Sequence, residues 1–226
     1  MAKLKKQHMT IHWKAIVQDD SSIPATEATL KEKATLVGRI GLMMLSVGTG
    51  AWRVRNSMNK VSRCLGITCT ADIGLLAISY TCIEGTDTYT QSISLPTTGV
   101  NTHKLMELEL FMKEFPDKVS TYSVKHIHEV LDEIQKLPAN YKAWNLGLAS
   151  ALACGAFTFL LGGGPVEMCC AFLGAGVGNF VRKKMLGHSI SLLANVAVSV
   201  AASCLVYVLT ILLAQQLLSV SAVHQA

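Results

Sequence analysis

Residues 143–226 carry only four charged side chains: Glu167, Arg182, Lys183 and Lys184. A soluble domain is usually about one-quarter charged, so a stretch this poor in charge has no face to turn to water. The front of the chain differs, because residues 1–142 carry 17 Lys/Arg and 14 Asp/Glu. Over all 226 residues, 50% are hydrophobic and 15% charged, with a mean hydropathy of +0.38. This balance excludes a disordered chain, a secreted disulfide scaffold and a wholly soluble enzyme. The expectation is a bipartite protein with a water-soluble front and a membrane-embedded back.

A spanning helix needs roughly 17–25 mostly apolar residues, and three stretches qualify: 144–161, about 166–181, and 190–214. Tyr141 and Trp144 open the first, where amphipathic rings favour the interface. Gly162-Gly163-Gly164-Pro165 breaks it, since glycine is permissive and proline cannot continue the hydrogen-bond ladder. Arg182-Lys183-Lys184 closes the second span, and Lys136 and Lys142 precede the first, while the glycine loop has no basic residue. Positive charge on the inner side puts the front domain in the cytoplasm. The start is basic (Lys3, Lys5, Lys6), but no apolar run follows, so it does not read as a signal peptide.

Polar and small residues in this half are patterned. Gly174 and Gly178 form a GxxxG, Ala171 and Ala175 repeat its spacing, and so do Ala151 and Gly155, as expected of closely packed membrane helices. Ser191, Asn195, Ser199, Ser203 and Tyr207 recur every four residues along the third span, and Asn179 adds an amide near the inner end of the second. Such groups either bond between helices or line a wet pathway. Glu167, the only acid here, either handles an ion or substrate or complements the dipole of the helix that it begins.

In the front half, residues 1–25 read as a flexible segment and 26–138 as an α+β domain of order ααβββαα. From Ala25 the pattern is helical, Leu30, Val37, Ile40, Met44 and Leu45 sharing one face to Val47, ended by Gly48-Thr49-Gly50; Val54, Met58, Val61 and Leu65 make a second short helix, stopped by Gly66. The period then becomes two: Ile67–Ile73, Leu75–Ile83 and Thr88–Leu95 read as strands, the last pair joined by Glu84-Gly85-Thr86-Asp87 and the third ended by Pro96. Helices over Thr102–Phe115 and Ser123–Leu137 complete the domain, and Pro138–Lys142 links it to the membrane half. There is no P-loop, dinucleotide fingerprint, HExxH or GxSxG, so no catalytic residue and no cofactor are expected. Cys64, Cys69 and Cys82 make no CxxC pair, His126 and His128 point to different helix faces, and His8 and His12 lie outside any clear helix, so no metal site is expected. Arg53, Arg55, Lys60 and Arg63 make one helix basic, but the balanced charge of the domain argues against nucleic acid.

Several segments resemble the threonine/serine exporter family, specifically its N-terminal half, which is the larger component of two-component versions. Gly48-Thr49-Gly50-Ala51-Trp52-Arg53-Val54, with Met58 and Leu65-Gly66, resembles the family's Gly-Ala-x-Tyr-Arg-Val…Met…Leu-Gly segment. Gly99-Val100-Asn101-x-x-Lys104-Leu105 is similar to its Gly-Val-Asn-Leu-x-Lys-Leu element, and Ile134–Pro138 with Tyr141 to its pre-membrane segment. Gly162-Gly163-Gly164-Pro165-Val166-Glu167 resembles its Gly-Gly-Gly-Trp-x-Asp turn, and Val181-Arg182-Lys183 its basic loop. The departures are Arg55 for a common acid, Ser94 and Leu95 for a basic residue, Pro165 for tryptophan and Glu167 for a shorter acid.

The resemblance implies a multi-pass subunit of a secondary exporter for small polar metabolites in the cell (inner) membrane, cytoplasmic domain first. Threonine and serine are the implied substrates, with a dicarboxylate such as succinate as the alternative. The family continues into further spans, whereas this chain stops at Ala226; the expectation is a shortened chain or one needing a small multi-span partner or a homo-oligomer. The pathway candidates are Glu167, Asn179, Asn195 and Ser199. Arg53, Asn101 and Lys104 are the candidates in the cytoplasmic domain, binding an anionic substrate group or holding the fold. A membrane-anchored enzyme or sensor and a scaffold subunit are the competing readings.

Overall fold

The computed structural model describes residues 11–17, 23–95, 98–138, 143–186 and 191–224. Lys3, Lys5, Lys6, His8, Pro96, Tyr141, Lys142 and Ile190, which figure in the expectations above, lie outside them. The chain divides into two compact units, Met1–Ala139 and Asn140–Ala226.

The first unit is built on one buried helix. Short 3-10 turns at Trp13–Ala15 and Ala25–Glu27 precede α1 (Leu30–Ser46) and α2 (Ala51–Cys64). A three-stranded antiparallel sheet follows, β1 (Thr68–Ile73), β2 (Ala77–Glu84) and β3 (Asp87–Ser94) in spatial order β1-β2-β3. Helices α3 (Thr102–Lys118) and α4 (Val124–Lys136) complete it. The helix α1 starts at Leu30 because Thr29 caps it: Glu32 N–H donates to Thr29 Oγ1 and the Glu32 carboxylate accepts from Thr29 N–H at 3.0 Å, a reciprocal capping box.

The expected apolar stripe of α1 understates its surroundings, since every residue from Glu32 to Leu45 is buried. The helix packs against α2, β2, β3 and α4 at once. Such approach needs small residues: a methyl group on Gly38 would collide with the ring of Tyr80 on β2. The inner sheet face (Ile78, Tyr80, Cys82, Ile93) closes over Leu36, Val37 and Ile40, and Met58, Leu108, Phe115, Ile127 and Leu131 enclose the rest. The outer face is polar, with Ser79–Ser92 and Thr81–Thr90 hydroxyl pairs each at 2.9 Å. Lys33 is buried as well, and its ammonium meets Glu84 Oε1 at 2.5 Å, tying α1 to the hairpin. Cys69 and Cys82 oppose each other across β1 and β2 as free thiols. Hydrogen bonding to Cys69 and burial push the Cys82 thiol up, so this pair packs as small apolar groups.

The second unit holds α5 (Ala143–Leu160), α6 (Pro165–Leu186) and α7 (Leu192–His224), with both α5 and α7 packed on α6. Residues 158–163 end α5 in a full Schellman motif: Gly163 N–H donates to Thr158 O, Gly162 N–H to Phe159 O, and Gly162 takes φ +92°. One described helix is long and apolar enough to cross a bilayer, Leu192–Gln216, with a mean hydropathy of 2.5 and only 6% of it buried. Trp144–Leu160 is a shorter apolar helix, and α6 carries Glu167 in its first turn and Lys183 and Lys184 in its last. The helix α6 itself runs on through the basic cluster to Leu186, since cations are favoured at a helix C-terminus. The chain is thus mostly helical, with one small antiparallel sheet and one clear apolar helix of spanning length.

Candidate functional site

In the second unit Glu167 falls on the side of α6 that carries Gly174 and Gly178, and Asn179 lies about 120° round the helix from it. Pro165 and Glu167 occupy the first and third positions of α6, where proline needs no N–H partner and a glutamate can turn back on the helix start. The Glu167 carboxylate lies back over Gly164, 2.8 Å from where a methyl group on that glycine would stand. Asn179 is twelve residues further on, about 18 Å along the helix at 1.5 Å per residue. It lines a groove of about 730 Å³ between α5 and α6, otherwise walled mainly by Trp144, Leu148, Phe172 and Phe180, with Lys183 and Lys184 at one end.

Asn195 and Ser199 lie on the opposite side of α6, in its contact with α7, and both are buried. The GxxxG glycines make that contact close: a methyl group at Gly174 would stand 2.8 Å from Ser203 O, and one at Gly178 3.0 Å from Ser199 O. Ser199 Oγ donates to Val196 O at 2.9 Å. Asn195 Nδ2 donates to Arg182 O at 3.3 Å, but its Oδ1 is buried without a donor among the described residues.

In the first unit, the two glycine-containing motifs meet at the end of α1. Gly48 turns the chain with φ +82°, against Val100. The last carbonyls of α1 are then satisfied from both segments: Thr49 Oγ1 donates to Met44 O, Thr98 Oγ1 to Leu45 O, Gly99 N–H to Ser46 O and Asn101 N–H to Val47 O. Asn101 also caps α3, its Oδ1 accepting from Lys104 N–H at 3.1 Å, and Lys104 Nζ donates to Gln135 O at the end of α4. Arg53 reaches Glu109 on α3 at 3.2 Å, with both side chains about half exposed. The structure thus joins Asn101 to Lys104 and gives Arg53 a separate surface contact. Two other members of the basic helix are engaged too, Arg55 with Ala71 O and Lys60 with Met112 O.

A cluster that the sequence reading passed over centres on Arg39. Its guanidinium is buried in α1 and reaches α4, where NH1 donates to His128 O at 2.8 Å and to His128 Nδ1 at 3.1 Å. Its NH2 group bonds Asp132 and, at 3.2 Å, Gln135 Oε1. Trp13 stacks on the His128 ring, centroids 4.8 Å apart and planes 9° from parallel. Burial pulls the Arg39 pKa down and Asp132 opposes it; a guanidinium keeps its charge even when buried, and the carboxylate offsets the cost of burying it. Burial, reinforced by the Arg39 charge, pushes the His128 pKa down to about 3. Beside this cluster lies a cavity of about 240 Å³. One signal for it was present in the sequence: Arg39 stands alone among the residues of 34–45, otherwise uncharged.

Among known proteins, no curated protein and no solved structure matches the chain. A family does: residues 35–226 match ThrE, whose description reads "Putative threonine/serine exporter". The match begins within α1, takes in both glycine motifs, the sheet and all three helices of the second unit, and so covers well over half of the chain. The chain belongs to the ThrE threonine/serine exporter family.

Proposed function

We propose that this protein is an integral membrane subunit of a secondary exporter for small polar metabolites of the threonine/serine type, acting with a second membrane subunit or as an oligomer. Family membership supports export and a place in the membrane. The apolar α7 and the many exposed apolar side chains of the second unit, such as Phe157, Leu160, Phe180 and Leu205, support contact with lipid or with further helices. In this reading residues 144–161, 166–181 and 190–214 cross the bilayer, residues 26–138 lie in the cytoplasm, and Arg182-Lys183-Lys184 holds the inner side.

One observation carries the pathway assignment: the buried Asn195 Oδ1 has no donor among the described residues. An unmet acceptor of this kind costs about 1–3 kcal/mol, and a passing hydroxyl or ammonium group supplies what it lacks. Ser199 stands one turn on. Asn179, in the groove on the other side of α6, faces what a partner subunit would complete, and Glu167 marks the outer mouth. The test is the threonine pool of cells whose own exporters are deleted. Expressing the chain with its partner lowers that pool; Asn195→Val and Glu167→Gln, inserted to the same level, restore it at least severalfold. An unchanged pool in both variants removes these residues from the pathway.

A further inference from the structure

The cavity in the first unit combines a size and a charge pattern that point to one class of ligand. At about 240 Å³ it is below the usual range of roughly 300–1,000 Å³ for drug-sized ligands, so it admits a molecule of few heavy atoms and no nucleotide. Arg39 lines it but is engaged, with both terminal nitrogens bonded to α4. What this leaves is a fixed carboxylate: Asp132 is held through Oδ1, its side chain is 27% exposed, and its other oxygen makes no bond among the described residues. Lys104 lines the same cavity. Its ammonium bonds only the Gln135 carbonyl and forms no ion pair among the described residues. Gln135 itself bonds Arg39 through its side chain and Lys104 through its backbone, so one residue of α4 sets both charged groups. Leu42, Leu108 and Ile134 supply an apolar wall.

A cation without a counter-charge and a carboxylate with a free oxygen, around a small space with an apolar wall, complement a ligand that carries a carboxylate, an ammonium group and a short side chain. We propose that this cavity binds a free α-amino acid, its carboxylate on Lys104, its ammonium on Asp132, and its side chain against Leu42, Leu108 and Ile134. The site is separate from the transport residues of the second unit and does not depend on the exporter reading. Where export does occur, it lets the chain respond to the amino acid held on the same side as this unit.

The test is ligand-induced thermal stabilisation and calorimetric titration of the full chain in detergent. L-threonine and L-serine are the ligands, propionate supplies the carboxylate alone and 2-aminopropanol the amine alone. Saturable binding of threonine or serine, with at least tenfold weaker binding of the two comparators, is expected. Lys104→Gln, which keeps a donor for the Gln135 carbonyl, weakens amino-acid binding at least tenfold. Leu108→Phe, which fills the cavity from its apolar side, does the same. Lys118→Gln, at a surface ion pair with Glu114 outside the cavity, leaves the binding unchanged. No saturable binding, binding of propionate as tight as that of threonine, or binding that survives Lys104→Gln but is lost in Asn195→Val would each overturn the proposal. The last outcome would place the ligand in the second unit, and so separates failure of this site from failure of the transport reading.

Discussion

His128 is a base held where a charge is not tolerated. Arg39 can only donate, so His128 Nδ1 accepts from it and the ring proton sits on Nε2. That Nε2 is buried without a partner among the described residues, and Trp13 covers the ring face. Burial penalises the imidazolium, and protonation would also set a second cation against the guanidinium, so the pKa falls to about 3 from its ordinary 6.5. For a base lowered in this way, the unfolded chain takes the proton first. The stability held by neutral His128 is therefore complete above pH 6.5 and is lost as the pH falls from 6.5 towards 3, at a rate approaching about 1.4 kcal/mol per pH unit. Denaturant titrations followed by tryptophan fluorescence are expected to give a first unit weaker by about 1 kcal/mol at pH 5.5 than at pH 7. In His128→Asn that difference shrinks by about the same amount; an equal pH dependence in the variant would remove His128 as its source. None of this was legible from the sequence, because His128 and Arg39 are separated by 89 positions and only the packing of α4 on α1 joins them. Asn101 was legible as a residue of consequence, but its work as the cap of α3 follows from a backbone bond that a motif does not display.

Among the elements, periodicity located each strand and helix of the first unit to within a few residues, and the differences have local causes. The α1 helix begins at Leu30 because the Thr29 capping box sets its first turn. The sequence reading ends α3 at Phe115, before Pro116, yet the helix continues to Lys118. Proline removes the N–H that Met112 O would accept; Lys60 on α2 replaces it, donating to that carbonyl at 2.8 Å. Lys60→Met is therefore expected to lower stability by about 1 kcal/mol, with faster hydrogen exchange in the last turns of α3. Exchange unchanged there would show that water replaces the lysine. In the second unit the GxxxG was legible and its partner was not. Gly178 meets Ser199 and Ser203 of α7, the same line of small polar residues that also reads as a pathway. Gly178→Val is expected to force α6 and α7 apart, seen as a loss of cross-linking between cysteines placed at Arg182 and Asn195, which are in contact across the two helices. Undiminished cross-linking would contradict the close contact.

At the scale of the whole molecule, the charge-poor stretch of 143–226 was the most informative part of the sequence, and its four charges fall at the two ends of α6. Two compact units and family membership give export a physical frame. The pathway candidates were less legible as a group, since Asn195 is buried in the contact of α7 with α6 while Asn179 lines the groove between α5 and α6. The direct measurement is efflux of labelled threonine, serine and succinate from vesicles holding the purified chain together with the proposed small multi-span partner. The account predicts efflux of threonine or serine that needs both components, is driven by an imposed proton or ion gradient, and falls at least tenfold in Asn195→Val. No efflux of any of the three solutes from vesicles containing both components would contradict it.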